Sequence, residues 1–214
     1  MTLLIIDTSI YLHKGFDGKD TRDHVKRFWF NYDHLRKVAG PQVKEVIWCL
    51  DSDTPTFRHI QYPPYKAQRS EKTQEFKDFK TSIEADLMKR HKAIIKEGWE
   101  ADDLIFTIAK QYKGKVIIAS TDLDQSQTVS RNIMMYKLNN EHAYENVTPE
   151  YVVRRYGILP WQIPHYKALS GDKSDNIKLR VRGLGPLAAA TLLILYGSLD
   201  GIYKVIEETP EEFH

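Results

Sequence analysis

Nine carboxylates in this sequence could do chemistry together, because most are predicted to lie at strand ends or helix starts on one rim of the fold. They are Asp7, Asp51, Glu100, Asp102, Asp103, Asp122, Asp124, Asp172 and Asp175. So many acids packed together would shift one another's pKa values, and divalent cations are the simplest way to hold them ionised. Since no histidine or cysteine joins the set, its oxygen ligands favour Mg²⁺ or Mn²⁺ over zinc. Two such ions roughly 4 Å apart would clamp the attacking and leaving oxygens of a phosphodiester displacement.

Each of these acids taken alone is better explained as a helix cap or a surface charge. Local spacing supports the metal interpretation only in part. Glu100 and Asp103 share a predicted helix face, whereas Asp102 points elsewhere, so Asp102 or Asp103 could serve only as a cap. In the stretch "ALSGDKSDNI" (168–177), capping explains one of the two acids, Asp172 and Asp175, well and the second poorly.

A second group of residues combines basic and aromatic side chains in the stretch "YPPYKAQR". It contains Tyr62, Tyr65, Lys66 and Arg69 at the foot of a predicted long helix. Phosphate attraction by Lys and Arg, combined with base stacking on Tyr, holds single strands without sequence preference. From composition alone, a surface helix start with tyrosines packed on the core is equally favoured.

A third group surrounds the stretch "GLGP" (183–186). Exposed N–H groups at a helix start bind phosphate, and three basic residues, Lys178, Arg180 and Arg182, lie just upstream. With Gly183 and Gly185 they would form a sequence-independent grip on a duplex backbone. The commoner meaning of such a turn is a simple joint between two helices.

Three short apolar runs, 2–7, 46–51 and 115–122, each end in an aspartate and are predicted to be buried parallel strands. Helical patterns over 23–38 and 100–112 separate them, which favours an α/β fold with helices on both faces of a parallel sheet. Ligands of such sheets bind outside the carboxyl ends of the strands. This rule places Asp7, Asp51 and Asp122 at one edge.

A long segment, 55–98, separates the second strand from the next helix. Its first part looks like a loop, and apolar residues then recur at helical spacing from about residue 71 to 96. The mild excess of basic residues there is best explained as a solvated helix face. Farther along, 183–197 is predicted to be a glycine turn that leads into an apolar, alanine-rich helix.

Composition sets limits on what the chain can be. With 214 residues, 42% of them hydrophobic and 28% charged, it suits one sizeable core with an attachment. The formal net charge of +2 identifies no partner, so a nucleic-acid surface must come from local charge segregation. The single cysteine, Cys49, excludes a disulfide framework and fits a reducing cytoplasmic setting. No run approaches membrane-spanning length, and no signal peptide is visible.

The ordered set of motifs resembles the flap endonuclease, or 5′-nuclease, superfamily. The signature "GDKSDNI…GLGP" is similar to the helix–three-turn–helix motif of that superfamily, and "LLIIDTS", "DSDTPTFRHIQYPPYKAQR", "EGWEADDLI" and "ASTDLDQSQ" precede it in the same order. The resemblance covers nearly the whole chain and extends to the 5′-nuclease domain of bacterial DNA polymerase I and to bacteriophage 5′-exonucleases. It implies a PIN-like parallel sheet with flanking helices and a helical arch at about 63–98, all within residues 1–165. A helix–three-turn–helix DNA-binding module would occupy 166–214.

The resemblance also implies roles for individual residues. The acids Asp7, Asp51, Glu100, Asp102, Asp122 and Asp124 match the superfamily's metal ligands; Asp172 and Asp175 complete a second metal position, and Asp103 matches a further acid. Lys66 and Arg69 match basic arch residues that engage the scissile phosphate. With Asp51 and Asp122 they form the expected catalytic set, and Tyr65 matches an aromatic that stacks on the substrate. The glycine turn would bind duplex DNA, in the superfamily often with K⁺.

Some positions depart from the superfamily pattern. Thr8 replaces the usual glycine after the first aspartate, Leu187 replaces the usual lysine after "GP", and the hairpin is one residue longer than common. These changes affect the hairpin and its potassium site and leave the acid set intact.

The expected activity is two-metal hydrolysis of phosphodiester bonds near DNA 5′ ends or flap junctions, by a monomer that works with replication or repair proteins. Two alternatives stay open at this stage. One is a DNA-junction-binding protein with weakened catalysis, and loss of some of the acids would indicate it. The other is a PIN-type ribonuclease, against which the three-turn hairpin argues.

Overall fold

The structure is a computed structural model that describes residues 1–16, 21–139, 143–178 and 183–209. Within these ranges the chain forms a six-stranded sheet in the order β3-β2-β1-β4-β5-β6. The strands are β1 (Thr2–Asp7), β2 (Val43–Cys49), β3 (Ala93–Ile94), β4 (Lys115–Ala119), β5 (Ile133–Leu138) and β6 (Tyr144–Val147). Strands β1 to β5 are parallel, and β6 runs antiparallel to β5 at the edge. The predicted parallel α/β architecture is confirmed.

Helices flank both faces of the sheet. They are α1 (Thr8–Gly15), α2 (Thr21–Ala39), α3 (Phe57–Gln61), α4 (Gln74–Arg90), α5 (Ala101–Gln111), α6 (Pro149–Tyr156), α7 (Ile163–Ser170), α8 (Pro186–Tyr196) and α9 (Leu199–Glu208). Short 3-10 helices span Leu123–Thr128 and Pro160–Gln162. Helix α1, which begins directly after β1, was not predicted from the sequence. The helix predicted from about 71 to 96 is shorter than expected because the chain leaves α4 after Arg90 and enters β3.

The central strand β1 is buried along its whole length because both faces of the sheet are covered. Leu3 and Ile5 face a core that contains α5, whereas Leu4 and Ile6 face a second core that contains α2 and α4. Such continuous burial explains why β1 reads as an uninterrupted apolar run. The strand therefore fixes the position of Asp7 at its carboxyl end.

Helix α4 packs its apolar stripe against the second core. Phe76, Phe79, Ile83 and Leu87 are buried, at the helical spacing seen in the sequence. Thr73 caps the helix by accepting a hydrogen bond from the Phe76 N–H. The anchored helix holds the end of the segment 62–73, which carries Lys66 and Arg69 and which we call the basic segment.

The carboxy-terminal helices share the first core with the sheet. Ala190 and Leu193 of α8 and Ile202 of α9 belong to the same buried cluster as Leu3 and Ile5. The buried Gln162 amide donates to the Leu193 and Gly197 carbonyls at 2.9 and 2.7 Å. These hydrogen bonds fix the carboxyl end of α8. The division predicted at 165/166 stays a prediction, since the apolar core continues across it.

Within the described ranges, no single helix is long and apolar enough to cross a membrane. The pair α8 and α9, bent by 76° at its joint, meets that criterion only when both are counted together, by length and composition.

Candidate active site at the carboxyl edge of the sheet

Asp7 is fixed between the ends of two neighbouring strands. Its Oδ1 accepts from the N–H and hydroxyl of Ser9 at 3.1 and 2.7 Å, which caps α1. Its Oδ2 accepts from the hydroxyl of Ser120, directly after β4, at 3.0 Å. The side chain is thus buried and oriented by neutral donors alone. Neither serine was predicted from the sequence. Ser120 reaches Asp7 only through the parallel pairing of β1 and β4, and Ser9 belongs to α1, which was not predicted.

Three further acids join Asp7 around one cavity of about 440 Å³. Asp51, two residues beyond β2, accepts from the Ala101 N–H at the start of α5 at 2.8 Å. Asp102, in the first turn of α5, accepts from the Gln125 amide at 2.8 Å. Asp122 caps the 3-10 helix Leu123–Thr128. We call Asp7, Asp51, Asp102 and Asp122 the proximal group.

The proximal group has no counter-charge within salt-bridge distance in the part of the chain that the structure describes. Burial, with the charges of Asp51 and Asp122 adding to it, raises the pKa of Asp7 to about 6. Burial and the charges of Asp7 and Asp122 also hold the pKa of Asp102 well above its usual range. Four carboxylates that share a cavity and oppose one another's ionisation are a donor set that fits a divalent cation.

A second set of acids lies beside the proximal group. The carboxylates of Asp124, Asp172 and Asp175 offer oxygens that all lie within 4.8 Å of one another, and we call them the distal group. The Lys167 ammonium contacts Asp124 and donates to Oδ2 of Asp172 at 2.6 Å. Arg69 pairs with Asp175 at 3.0 Å. Unlike the proximal group, the distal group is neutralised by cations of the chain itself.

The pKa values in the distal group reflect this pairing. Burial, together with the charge of Asp122, raises the pKa of Asp124 to about 6, although Lys167 opposes the rise. Burial also acts to raise the pKa of Asp172, but hydrogen bonds from Lys167 and Ser174 outweigh it and hold that pKa below its usual range. The same two carboxylates hold the pKa of Lys167 above its usual range against the effect of burial.

Glu100 and Asp103 are held by residues of the basic segment and of α3. The buried Glu100 accepts from the Tyr65 hydroxyl at 2.9 Å and from Nζ of Lys66 at 2.8 Å. Asp103 forms a bidentate pair with Arg58 at 2.7 and 2.8 Å. Because the Arg58 guanidinium neutralises Asp103 through both of its oxygens, we favour a structural role for this acid over the metal-ligand role predicted from the resemblance. Sequence reasoning missed Arg58, since its partner lies 45 residues away.

Three hydrogen bonds join residues 62–69 to the loop that carries two of the distal acids, Asp172 and Asp175, and we call this contact the latch. The Lys66 N–H donates to the Asp175 carbonyl at 3.2 Å, the Gln68 amide to the Ser174 carbonyl at 2.9 Å, and the Asn176 amide to the Pro64 carbonyl at 2.8 Å. In the described ranges, Lys66 (φ 53°) and Asn176 (φ 59°) are the only residues other than glycine with positive φ. The latch thus holds strained backbone at both sides of the contact.

The latch places Lys66 and Arg69 on the wall of the proximal cavity, where His13 and Lys14 of α1 also lie. Burial and the nearby charges of Lys72 and Arg69 lower the pKa of His13. The cavity thus combines a floor of acids with a basic rim, the arrangement expected for a phosphate between metal ions. The sequence analysis did not single out His13 or Lys14, because α1 itself was not predicted.

Tyr65 does not match the predicted role of stacking on a substrate. Its side chain is only 5% exposed, its ring makes an edge contact with His59, and its hydroxyl is bound to Glu100. The alternative drawn from composition, a tyrosine packed on the core, describes it better. Tyr62 is more exposed and lines a separate cavity of about 600 Å³ beside Lys167 and Lys178.

The glycine turn is only partly described. Arg180 and Arg182 lie outside the described residues, whereas Lys178 is exposed. Gly183 has φ +86°, a conformation that favours glycine, and Gly185 caps α8. A Cβ at either glycine would meet no atom of the described residues within 4 Å, and the first N–H groups of α8 have no intrahelical partner.

Comparison with known proteins decides the family. Residues 2–157 match the family model described as 5′-3′ exonuclease, N-terminal resolvase-like domain. The chain belongs to the 5′-3′ exonuclease family. It is 33% identical over 223 residues to a 5′-3′ exonuclease of Aquifex aeolicus, covering 99% of this chain and 75% of that protein.

Other relatives of this 5′-3′ exonuclease family member are larger. It is 40% identical over 159 residues to DNA polymerase I of Treponema pallidum, covering 72% of this chain but only 16% of the polymerase. A crystal structure of the bacteriophage T5 flap endonuclease, in a pseudo-enzyme-product complex with DNA and metal ions, has the same fold. The TM-score is 0.81 with 19% identity, over 94% of this chain and 78% of that one. The PIN-like fold expected from the sequence is therefore confirmed.

Proposed function

We propose that this chain is a divalent-metal-dependent, structure-specific DNA 5′-nuclease that hydrolyses phosphodiester bonds near 5′ ends and flap junctions. The observation that carries the proposal is the proximal group. It consists of four carboxylates that line one cavity, with Asp7 buried, Asp51 and Asp102 half-buried and Asp122 exposed. None has a salt-bridge partner in the described ranges, and the cavity wall carries Lys66 and Arg69. Membership in the 5′-3′ exonuclease family and the metal-bound and DNA-bound state of the T5 relative support it.

The residues of the proximal group fit divalent cations by donor type, since every ligand is a hard carboxylate oxygen. We assign the first ion to Asp7, Asp51, Asp102 and Asp122, and the second to the distal group, Asp124, Asp172 and Asp175. Glu100 lines a cavity together with acids of both groups and accepts a hydrogen bond from Lys66. When bound, the ions supply the Lewis acid that activates water and stabilises the leaving 3′ oxygen.

The chain's own side chains prepare this site. Ser9 and Ser120 fix both oxygens of Asp7, so that the carboxylate is oriented before any ligand arrives. Nζ of Lys66 is 2.8 Å from Glu100, and because Lys66 also lines the proximal cavity, its ammonium would turn toward a phosphate bound there. Arg69 adds the planar donor pair that suits a phosphate. These two residues would bind and orient the scissile phosphate.

The start of α8 would hold the duplex part of the substrate. Its open backbone N–H groups and the exposed Lys178 can bind phosphates without reading sequence. Arg180 and Arg182 would extend this basic surface. Binding of the duplex there would fix its distance from the two acid groups. A nuclease that positions its substrate in this way selects a junction and not a sequence.

The family resemblance supports further proposals about the ions and the partners of the protein. The ions would be Mg²⁺ or Mn²⁺, and K⁺ would bind at the glycine turn. The enzyme would act as a monomer alongside replication or repair proteins.

The proposal is tested by cleavage of a 5′-flap duplex labelled at either end, with Mg²⁺ or with EDTA. Asp122→Asn is the test variant, because it removes a proximal charge while preserving size. Asp200→Asn is the matched control, since Asp200 is exposed on α9 and does not line the cavity. We expect metal-dependent cutting near the junction in the wild type and the control, and DNA binding without cutting in Asp122→Asn. Cleavage by Asp122→Asn at the normal rate would refute the metal assignment.

A further inference from the structure

The two carboxylate groups differ in how their charge is balanced. In the ranges that the structure describes, no lysine or arginine comes within salt-bridge distance of the proximal acids, whereas all three distal acids have cationic partners. Lys167 contacts two of them, Asp124 and Asp172, and Arg69 contacts the third. A divalent ion would therefore meet ligands hydrogen-bonded only to neutral donors at one group and ligands already paired with cations at the other.

Lys167 is built into this position by the local fold. It lies in the last turn of α7, and Gly171 ends the helix so that Asp172 turns back toward it. The N–H of Ser174 donates to Oδ1 of Asp172 at 2.8 Å, which leaves Oδ2 for the lysine. Asp124 comes from the 3-10 helix after β4. The ammonium thus bridges two acids that are 48 residues apart in sequence.

We propose that Lys167 is a tethered cation that neutralises the distal group when no ion is bound there and competes with a divalent ion for the same oxygens. This inference rests on the proposed function, because it takes the distal group as the second ion's site. Lys167 thereby acts as a positioning residue that sets the affinity of the second ion.

The surroundings of Lys167 allow the exchange. Its side chain is 29% exposed and borders the cavity of about 600 Å³ that also contains Tyr62 and Lys178. The flexible four-carbon stem can therefore swing the ammonium from the carboxylates into this cavity. The second ion would bind more weakly, because it must displace the Lys167 ammonium from the carboxylates and because that ammonium, still nearby, repels it. The first ion would thus bind more tightly than the second.

The test is Mn²⁺ binding to the full chain, followed by the electron paramagnetic resonance signal of free Mn²⁺. Lys167→Gln removes the charge, and Lys167→Arg retains it. Lys173→Gln is the matched control, since Lys173 is exposed in the same loop and its side chain has no ion pair in the described ranges. We expect Lys167→Gln to strengthen the second binding step at least about tenfold, because a unit charge about 4 Å from an ion has at least this effect at a protein-like dielectric. The control and Lys167→Arg should keep a weak second step.

A second readout separates competition from a merely structural role. In EDTA, Lys167→Gln should unfold at a lower temperature than the wild type, because Asp124 and Asp172 lose their counter-charge, whereas Lys173→Gln should not. An unchanged or weaker second step in Lys167→Gln, with a normal first step, would overturn the inference and leave the proposed nuclease function standing. Binding of no Mn²⁺ by any of these proteins would refute the metal site and the inference together.

Discussion

Replacing Asp7 by asparagine should stabilise the metal-free protein while it abolishes cleavage. Burial and like charges raise the pKa of Asp7 to about 6, from an ordinary value of 3.8. Because the folded state holds the proton more tightly than the unfolded state, folding stability falls as the pH rises from about 4 to about 6. At pH 7.5 the ionised side chain costs about 3 kcal/mol of unfolding free energy.

The substituted amide would escape this cost and keep the local geometry. Its oxygen can still accept from both donors of Ser9, and its NH₂ can donate to the hydroxyl of Ser120. Loss of charge assistance in these hydrogen bonds costs about 1 kcal/mol. The expected net gain is about 2 kcal/mol, which corresponds to an increase of about 5 °C in Tm for a chain of this length.

The assay is thermal melting of wild type and Asp7→Asn in EDTA at pH 7.5 and again near pH 4.5, with Asp200→Asn as the control. The gain should appear at pH 7.5 and shrink near pH 4.5, where the wild-type carboxyl is largely protonated. Addition of Mg²⁺ should stabilise the wild type more than the variant, because the variant keeps only the distal group intact. A variant that melts at or below the wild type in EDTA at pH 7.5 would refute the argument that an uncompensated charge destabilises this site.

Three further predictions follow from single contacts. Gln68→Ala should loosen the latch and increase trypsin cleavage within 62–69 several-fold, without a large change in Tm; unchanged cleavage would mean that the other latch contacts suffice. Arg58→Met should lower the unfolding free energy in urea by about 2 kcal/mol, because it strands the carboxylate of Asp103, and adding Asp103→Asn should recover part of that loss. Gln162→Leu should cost about 2 kcal/mol by the same measurement, since it leaves two carbonyls at the end of α8 without their donor; a neutral effect would show that other donors satisfy them.

The division of the acids into two groups suggests how the site is assembled. The proximal group is oriented by serine, glutamine and backbone donors and has no salt-bridge partner among the described residues. The distal group combines Asp124 of the 3-10 helix after β4 with Asp172 and Asp175 of the segment between α7 and α8, and Lys167 and Arg69 neutralise it. The protein thus avoids holding seven uncompensated acids together before metal ions arrive, which would destabilise the fold strongly.

The sequence by itself determined the framework. Short β-branched and aliphatic runs are local signals, so the strand at 2–7 was placed correctly and those at 46–51 and 115–122 within three residues. The positions of the acids followed from strand ends, because parallel strands bring their carboxyl ends to one edge. The apolar stripe of α4 was readable from its helical spacing.

Only the tertiary structure decided which residues meet at that edge. The pairing of Lys167 with Asp124 and Asp172, and of Arg58 with Asp103, joins segments whose separation in sequence carries no local signal. The latch is the clearest case, since it joins 62–69 to a loop more than 100 residues later through backbone carbonyls and two strained residues. The chemical type of each site residue can be read from the sequence. Which acids are neutralised by lysine or arginine depends on contacts between segments that are far apart in the chain.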